Sequence, residues 1–322
     1  MNAPGSRGVL TLGEGLGVLR TRGLGSLAHE SDLVVGTGGA EGNVAIGLAR
    51  LGTPVTWLGR VGDDGLGTRV VRELRAEGVH VVAPTDAAPT GLLIKETPAP
   101  GRTVVTYHRA GSAGSRLSPA DLDLVDVGAF ALLHVTGITP ALSSTAHAAI
   151  DGAVDRARAA GVPVSFDVNH RSSLWPDPAS AAIVYRSLAA QADLVFAGLD
   201  EAELLTGLDG AGATPSGLAR AIADLGPSEV VVKLGEAGAI AFADGEVHER
   251  AAVPVAVVDT VGAGDAFVAG FLAARLAGED VDGRLDLAVR TGAAACTHPG
   301  DWEGFPTRRD LERRHGDDPV TR

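Results

Sequence analysis

Short apolar segments alternate along the chain with longer segments whose apolar residues recur at helical spacing. The short segments are rich in valine and leucine, and their length suits buried strands. The longer ones, such as residues 65–78 and 143–161, suit helices that cover a sheet. This alternation predicts an α/β protein with a mostly parallel central sheet covered on both faces. The predicted strands lie near residue 10 and at residues 54–59, 131–135, 162–168, 193–196, 229–233 and 253–258.

Two segments interrupt this alternation. Residues 14–36 are rich in glycine and lack a helical period, and residues 91–109 are typical of two strands joined by a Pro/Gly turn. We expect both segments to leave the main sheet and to form a small β-sheet lid over a binding site. No internal repeat is visible, so we expect residues 1–322 to form a single domain with a frayed polar tail after about residue 312.

The composition narrows the class of protein. The 322 residues are 45% hydrophobic and 21% charged, which is typical of a globular protein with a sizeable core. A formal net charge of -13 argues against nucleic acid or an anionic membrane as the main partner. Cys296 is the only cysteine, which excludes an intrachain disulfide and a cysteine metal cluster. The first residues lack the apolar region of a signal peptide, and no stretch approaches about 20 apolar residues, so we expect a cytoplasmic protein.

The most informative stretch is D-T-V-G-A-G-D-A-F, from Asp259 to Phe267, which lies between a predicted strand and an apolar helix. A glycine-rich turn at a helix start leaves backbone N–H groups unpaired where the helix dipole favours a phosphate or a developing oxyanion. A fixed carboxylate at Asp265 would repel that anion, unless it takes a proton from a nucleophile that attacks the phosphate. In the simpler alternative, Gly262 and Gly264 only turn the chain and Asp265 caps the helix.

Other polar residues follow the predicted strands, at the edge where parallel α/β sheets bind ligands. The sequence G-G-A-E-G-N, from Gly38 to Asn43, opens a helix; its glycines allow a ligand close to the backbone, and Asn43 can bind hydroxyls or serve as an N-cap. Each such residue alone is more often solvated surface than part of a site, but the shared location after strands favours a common site. The lid and the remaining strand ends supply Tyr107, Arg109, Asn169, Arg171, Glu201 and Lys233.

Several common site motifs are missing. The sequence has no G-x-x-x-x-G-K-[ST] phosphate-binding loop and no G-x-G-x-x-G dinucleotide motif after the first strand. It also lacks H-E-x-x-H, and its nine histidines are scattered rather than clustered as metal ligands. P-loop enzymes, nicotinamide enzymes and histidine-based metal enzymes are therefore disfavoured.

Taken together, these motifs resemble the ribokinase-like carbohydrate kinases, also called the phosphofructokinase-B family, from about residue 8 to residue 312. G-G-A-E-G-N-V-A and D-T-V-G-A-G-D-A-F resemble the two signatures of that family, and R-V-G-D-D-G-L-G, from Arg60 to Gly67, is typical of it. Two signatures about 220 residues apart are far more specific than either one alone. The resemblance implies a ribokinase-like fold with three αβα layers, a mostly parallel central sheet and a small β-sheet lid.

Within the family, the details resemble the kinases of the sugar acid 2-keto-3-deoxygluconate. The resembling stretches are Y-H-R-A-G-S-A-G-S, H-V-T-G-I-T-P-A-L-S, D-V-N-H-R-S-S-L-W and G-D-W-E-G. Two positions depart from the pattern. Leu93 stands where an aromatic residue is often found in the first lid strand. Gly198 replaces the Asn of the N-x-x-E magnesium motif, of which Glu201 remains.

The resemblance implies transfer of the ATP γ-phosphoryl group to the terminal O6 hydroxyl of a sugar acid, with Asp265 as the base. It implies Mg²⁺ bound with the ATP and held mainly by phosphates, water and Glu201; it also admits a monovalent cation and implies a homo-oligomer. Arg109 would hold the sugar carboxylate in a bidentate fork. Arg171 would serve either the sugar or the ATP phosphates.

The residue roles that this resemblance implies fall into four groups. Catalytic residues would be Gly262, Ala263, Gly264 and Asp265. Substrate-binding residues would be Gly38, Gly39, Ala40, Glu41, Gly42, Asn43, Tyr107, Arg109, Arg171, Asp265 and Asp301. Residues near the nucleotide would be Asn169, Arg171, Lys233, Gly235, Glu236, Gly238, Gly262, Ala263 and Gly264. The metal ligand would be Glu201.

Two alternatives remain open at this stage. A fructokinase or ribokinase acts on a neutral sugar and would bind it without needing Arg109. A regulator that binds sugar or nucleotide on a kinase fold would catalyse nothing, because a fold does not fix a function. The intact Asp265 and its glycines argue against the regulator.

Overall fold

The computed structural model describes residues 7–99, 102–210 and 213–312. The strands are β1 Val9–Leu12, β2 Leu16–Thr21, β3 Leu33–Gly38, β4 Val55–Leu58, β5 Val61–Gly62, β6 His80–Val82, β7 Thr85–Asp86, β8 Gly91–Ala99, β9 Arg102–His108, β10 Leu132–Thr136, β11 Val164–Asp167, β12 Leu194–Gly198, β13 Glu229–Lys233, β14 Ala239–Ala243 and β15 Glu246–Arg250. The helices are α1 Ala40–Arg50, α2 Gly65–Ala76, α3 Ser144–Ala159, α4 Pro178–Ala189, α5 Leu199–Thr206, α6 Pro215–Ala223, α7 Ala263–Leu276, α8 Val281–Ala295 and α9 Arg308–Glu312.

The central sheet has the strand order β15-β14-β13-β12-β11-β10-β1-β4-β6. The strands from β13 to β6 in this order are all parallel, so their carboxyl ends meet at one edge. At the far side, β14 and β15 add an antiparallel hairpin. Asp244 turns that hairpin with a positive φ of 52°, in a region where aspartate is one of the tolerated residues.

Helices cover both faces of the central sheet. One face packs against α1, α2, α7 and α8, and the other packs against α3, α4, α5 and α6. The side chains of β12 show why, because they alternate between the two faces as strand geometry requires. Leu194 and Phe196 enter the first core, whereas Val195 and Ala197 enter the second. The predicted three-layer αβα architecture is confirmed.

The predicted small sheet is also confirmed, with the strand order β3-β2-β8-β9. Its apolar cluster consists of Leu16, Val18 and Leu93, with Tyr107 packed against them. The indole Nε1 of Trp302 donates a hydrogen bond to the carbonyl oxygen of Thr37 in β3 at 3.0 Å. This bond ties the small sheet to the segment that follows α8.

One predicted strand is wrong. Residues 253–258 lie outside every strand of the described structure, and Val257 and Val258 are exposed. The N–H of Val258 donates to the carbonyl of Cys296, at the end of α8, instead of to a sheet edge. Pro254 has no N–H to offer to a ladder, which further disfavours a strand.

Some features fall outside the sequence predictions or outside the described residues. The antiparallel hairpin of β14 and β15 is not among the strands that the sequence predicts. The predicted Pro/Gly turn between β8 and β9 and the predicted frayed tail both fall outside the described ranges. None of the helices in those ranges combines the length and the apolar character that crossing a membrane requires.

Candidate active site

A cavity of about 530 Å³ lies between the small sheet and the carboxyl ends of the central strands. Most residues that the sequence singled out meet in this one cavity. The predicted residues that line it are Gly39, Ala40, Glu41, Asn43, Tyr107, Arg109, Asn169, Arg171, Glu201, Lys233, Gly235, Gly262, Gly264, Asp265 and Asp301.

Five predicted residues are not part of the cavity lining: Gly38, Gly42, Glu236, Gly238 and Ala263. Gly42 lies inside α1, facing the apolar core. Gly238 has a φ of 105° and turns the chain into β14. This backbone conformation favours glycine, so the residue type at this position needs no ligand to explain it. The side chain of Glu236 is exposed.

The turn before α7 has the features of an anion-binding loop. Gly262 is the N-cap residue with a φ of 76°, a left-handed conformation that favours glycine, and no side chain caps the helix. A side chain at this position would run into the carbonyl of Asp301. The N–H of Ala263 donates to the carbonyl of Thr260 at 3.3 Å. Gly262 and Gly264 are therefore the positions best placed to present their N–H groups to a ligand.

Asp265 lies in the first turn of α7, lines the cavity and is only 8% exposed. Its Oδ2 accepts a hydrogen bond from Nδ2 of Asn43 at 2.8 Å, and its Oδ1 accepts a longer one from Nδ2 of Asn169 at 3.4 Å. The alternative in which Asp265 caps the helix is wrong, because Gly262 is the N-cap residue and no side chain caps α7.

The environment of Asp265 changes its proton affinity. Burial raises the pKa of its carboxyl group to about 7, against the opposing effects of the Asn43 hydrogen bond and the positive charge of Arg171. A carboxylate with this pKa is suited to accept a proton near neutral pH. Asn169 reaches it from a left-handed conformation with a φ of 40°, the kind of local strain that concentrates at functional sites.

Lys233, at the end of β13, is paired with a carboxylate below the cavity. Its ammonium group bonds both carboxylate oxygens of Asp167 at 2.9 Å. Burial lowers the pKa of Lys233, but the negative charges of Asp167 and Glu201 outweigh burial and leave the pKa raised. Lys233 therefore stays protonated close to the anion-binding loop.

Arg109, predicted as the cation for a sugar carboxylate, already has an acidic partner. Its Nε and Nη2 atoms contact Oε2 of Glu14 at 2.6 and 2.5 Å, and both side chains are buried. This pairing uses the edge of the guanidinium that Nε and one N–H of Nη2 form. The other edge, formed by Nη1 and the second N–H of Nη2, remains for a ligand. Its guanidinium carbon lies 5.3 Å from the ring centroid of Tyr107. Ser112 also donates a hydrogen bond to Glu14.

Arg171 differs from the other cations of the cavity. It is half-buried, and its Nη1 donates to the carbonyl of His170 at 3.2 Å. Lys95, Arg109 and Lys233 each form a salt bridge, whereas Arg171 forms none with the described residues. Its charge is therefore the least compensated positive charge in the cavity lining.

Glu201, predicted as the metal ligand, binds backbone groups with both oxygens. Oε1 accepts from the N–H of His170 at 2.8 Å, and Oε2 accepts from the N–H of Gly198 at 2.6 Å, at the start of α5. No group of three acidic, histidine or cysteine side chains in the described ranges is arranged to hold a metal. Because both oxygens of Glu201 already accept backbone hydrogen bonds, this residue fits a Mg²⁺ ion that would be held mainly by phosphate and water and that Glu201 would reach through water.

Two further carboxylates line the cavity with different surroundings. Oε1 of Glu41 accepts hydrogen bonds from Thr136 at 2.6 Å and Thr139 at 2.7 Å, and burial raises the pKa of this carboxyl group. Asp301 is 6% exposed, and its Oδ1 has no hydrogen-bond partner among the described residues. Burial raises the pKa of Asp301 to about 6. A polar ligand in the cavity would satisfy this oxygen.

Sequence reasoning missed several residues of the cavity. They are Glu14, Leu16, Lys95, Val105, Ile138, Thr260 and Val261. The sequence carries a weak signal for Glu14, which follows the first predicted strand as the other site residues follow theirs. Lys95 carries another, because it is one of only two lysines in the chain and lies in the predicted lid.

The chain is similar to known proteins in sequence and in fold. A family model described as "pfkB family carbohydrate kinase" matches residues 17–308. A 2-dehydro-3-deoxygluconokinase of Bacillus subtilis (strain 168) is 39% identical over 312 residues, covering 94% of this chain and 93% of that protein. One from Thermoproteus tenax is 36% identical over 309 residues, covering 94% and 93%. A structure from E. coli, solved with ATP and Mg²⁺, has a TM-score of 0.86 at 26% identity and covers 95% of this chain and 98% of its own.

Proposed function

Because the chain belongs to the pfkB family of carbohydrate kinases, we propose that it transfers the γ-phosphoryl group of ATP to the terminal hydroxyl of a sugar acid. The acceptor that the relatives favour is 2-keto-3-deoxygluconate, also called 2-dehydro-3-deoxygluconate, which would become the 6-phosphate. The observation that carries the proposal is a buried carboxylate, Asp265, with a pKa of about 7 directly beside an anion-binding loop.

In this reaction, Asp265 is the general base. The O6 oxygen of the sugar bonds to the γ-phosphorus while its proton moves to the carboxylate, and the bond from the γ-phosphorus to the bridging oxygen of ADP breaks. Asn43 and Asn169 orient the carboxylate through their amide groups. Reaction by positioning and electrostatics leaves little covalent work to the protein.

The anion-binding loop stabilises the charge on the transferred group. Backbone N–H groups of Gly262 and Gly264 lie at the positive end of the α7 dipole, where they donate to the phosphoryl oxygens. Lys233 adds positive charge near this loop; its ammonium group lies 3.9 Å from the ideal position of a Cβ atom at Gly264. Its partner Asp167 fixes the position of that ammonium group.

The sugar acid needs a cation for its carboxylate. Arg109 offers the edge of its guanidinium that contains Nη1, and Glu14 fixes the orientation of that edge. Arg171 offers a charge that no described carboxylate compensates. We place the sugar carboxylate between these two arginines, and a sugar hydroxyl on the unpaired Oδ1 of Asp301.

ATP enters from the side of the central strand ends. Asn169, Arg171, Lys233 and Gly235 line that part of the cavity. Glu201 would hold Mg²⁺ through water, and the ion would neutralise phosphate charge on the ATP. The E. coli structure solved with ATP and Mg²⁺ supports both ligands.

A screen of ATP consumption tests this function. The purified protein is assayed with ATP and Mg²⁺ against sugar acids, hexoses, pentoses and nucleosides. We expect 2-keto-3-deoxygluconate to give the highest kcat/KM by a wide margin over fructose and ribose. If no sugar supports ATP consumption, the kinase proposal fails and the regulator becomes the better interpretation.

A neutral sugar is the second candidate substrate. It is favoured by the Glu14–Arg109 pair, because Glu14 compensates the charge of Arg109. The replacement of an aromatic lid residue by Leu93, which lines the cavity, also changes the sugar contact. In the same screen, a higher kcat/KM for fructose or ribose than for any sugar acid would select this candidate.

A further inference from the structure

Lys95 connects the small sheet to the anion-binding loop. Its side chain extends from β8, is 5% exposed and forms a salt bridge with Asp259. Asp259 lies three residues before Gly262, and its Oδ1 accepts the N–H of Val261 at 3.2 Å. The Oδ2 atom also accepts the N–H of Gly300 at 3.2 Å. One carboxylate therefore organises both backbone segments and is itself compensated by the small sheet.

The charge of Lys95 matters because of where Asp259 lies. A partly buried carboxylate without a cationic partner next to an anion-binding loop would repel the phosphoryl group that the loop has to hold. Asp301, in the cavity wall nearby, would add to that repulsion. Burial raises the pKa of Asp301, Lys95 lowers it, and Asp259 raises it again. Lys95 is thus the cation that faces two carboxylates of this region.

We propose that Lys95 is a positioning residue for phosphoryl transfer: it compensates Asp259 and fixes the anion-binding loop relative to the small sheet. The proposal rests on the proposed kinase reaction. It adds to that reaction a residue from the small sheet, Lys95, which supplies the positive charge beside the anion-binding loop.

The neighbouring residue on β8 shows that this contact is specific to Lys95. The carboxylate of Glu96 bonds Oγ of Ser26 at 3.1 Å and the N–H of Leu27 at 2.5 Å, within the segment that links β2 and β3. Side chains alternate along a strand, so adjacent positions serve different partners. Only Lys95 of these two reaches the loop before α7.

Lys95→Met tests the proposal, with Arg102→Met as the matched control. Arg102 lies on β9 of the same sheet and is exposed, so its substitution removes the same charge without touching the loop. We expect Lys95→Met to lower kcat about 10- to 100-fold with a smaller change in KM for ATP, because the loop holds the transition state more than bound ATP. Arg102→Met keeps the wild-type kcat.

Two further variants separate charge compensation from packing. In Lys95→Met/Asp259→Asn the uncompensated negative charge is gone, so we expect kcat to recover at least several-fold over Lys95→Met. Lys95→Arg keeps the charge and should retain most of the activity. Hydrogen exchange of the backbone amides at residues 259–264 gives a readout without substrates, and we expect faster exchange in Lys95→Met only.

The outcomes decide between the proposal and its alternatives. Wild-type kcat and unchanged amide exchange in Lys95→Met, with a normal thermal unfolding curve, would overturn the positioning role. No recovery in the double variant would overturn charge compensation. If Lys95→Met does not fold, Lys95→Arg and the double variant carry the test. If the wild-type protein phosphorylates no sugar, the kinase proposal fails, and the exchange readout alone still decides whether Lys95 orders the loop.

Discussion

Two features of its position have opposite effects on the charge of Asp265: the start of a helix favours the ionised carboxylate, and burial favours the protonated form. The position at the start of α7 places Asp265 beside the N–H groups of the glycine turn. The sequence motif predicted both the loop and the base. It did not predict that Asn43 and Asn169 bind the carboxylate, because Asn43 lies 222 positions away along the chain.

Asp265→Asn should be far less active and more stable than the wild type. Loss of the base lowers kcat about 10²- to 10⁴-fold. The folded-state pKa of about 7 lies above the usual 3.8, so the ionised carboxylate destabilises the fold as pH rises through that window. Removing it should add up to about 4 kcal/mol to the free energy of unfolding at pH 8, and the gain should vanish near pH 4. Urea unfolding at both pH values measures this; equal stability at pH 8 would contradict the burial argument.

Arg109→Ala and Arg171→Ala should both weaken sugar-acid binding, but with different effects on stability. Loss of a charged hydrogen bond to the sugar carboxylate raises KM for the sugar about 10- to 100-fold and spares ATP affinity for Arg109→Ala. That variant also leaves Glu14 buried without its cation, so it should unfold at lower denaturant concentration. Arg109→Lys should recover part of the sugar binding.

Arg171→Ala is the matched comparison, because Arg171 forms no salt bridge with the described residues. It should raise KM without a comparable loss of stability. If Arg109→Ala leaves KM for the sugar acid unchanged while a neutral sugar is the better substrate, Arg109 is a structural partner of Glu14, and the sugar-acid assignment is wrong.

At the scale of elements, the start of α5 is where the chain departs from the family pattern. Gly198 is the N-cap residue with a φ of -71°, a value that any residue adopts, and a Cβ atom there would lie 3.4 Å from Oε2 of Glu201. An Asn at this position would add an amide oxygen beside Glu201 and would also cap the helix. The protein therefore has room for the residue that it lacks.

Gly198→Asn should lower the Mg²⁺ concentration that gives half-maximal activity, because it adds an amide oxygen that accepts hydrogen bonds from water bound to the ion. Gly198→Ala is the control, since it adds the Cβ atom without the amide. Titration of activity with Mg²⁺ at fixed ATP compares the three proteins. Identical magnesium curves for Asn, Ala and Gly would remove this end of α5 from the metal environment.

Elements with a clear apolar pattern could be predicted from the sequence. The parallel strands are short continuous apolar runs, and α2 has apolar residues at helical spacing. Features that depend on contacts between distant residues could not be predicted. Residues 253–258 have the composition of a strand, but the N–H of Val258 binds the end of α8, about 40 positions further along. Charge pairs were equally hidden: Arg109 and Glu14 are 95 positions apart, and only the fold brings them together.

At the scale of the whole molecule, the central sheet buries a histidine that limits stability in acid. His134 in β10 is fully buried, and its Nδ1 lies 3.1 Å from Oγ of Ser165 in β11. Burial, with a contribution from Lys233, lowers the pKa of His134 to about 3 from the usual 6.5. Between these two values the unfolded chain binds a proton that the folded protein does not.

The contribution of His134 to stability is therefore complete above pH 6.5 and is lost as pH falls toward 3. Its share of the free energy of unfolding should fall by about 1.4 kcal/mol per pH unit in that window. His134→Gln should lack this share, so we expect the difference between wild type and variant to narrow from pH 7.5 to pH 5.5. A difference that does not change with pH would show that His134 does not titrate in this way.

The pH dependence of kcat/KM for the sugar tests the central claim most directly, because at saturating ATP it reports the essential base of the enzyme–ATP complex that binds the sugar. With saturating ATP and Mg²⁺ and a sugar acid at limiting concentration, the account predicts that kcat/KM rises about tenfold per pH unit below about pH 7 and levels off above it. Asp265→Asn should show low activity without this rise. A wild-type profile that is flat from pH 5.5 to 8, or the same rise in Asp265→Asn, would contradict the assignment of Asp265 as the base.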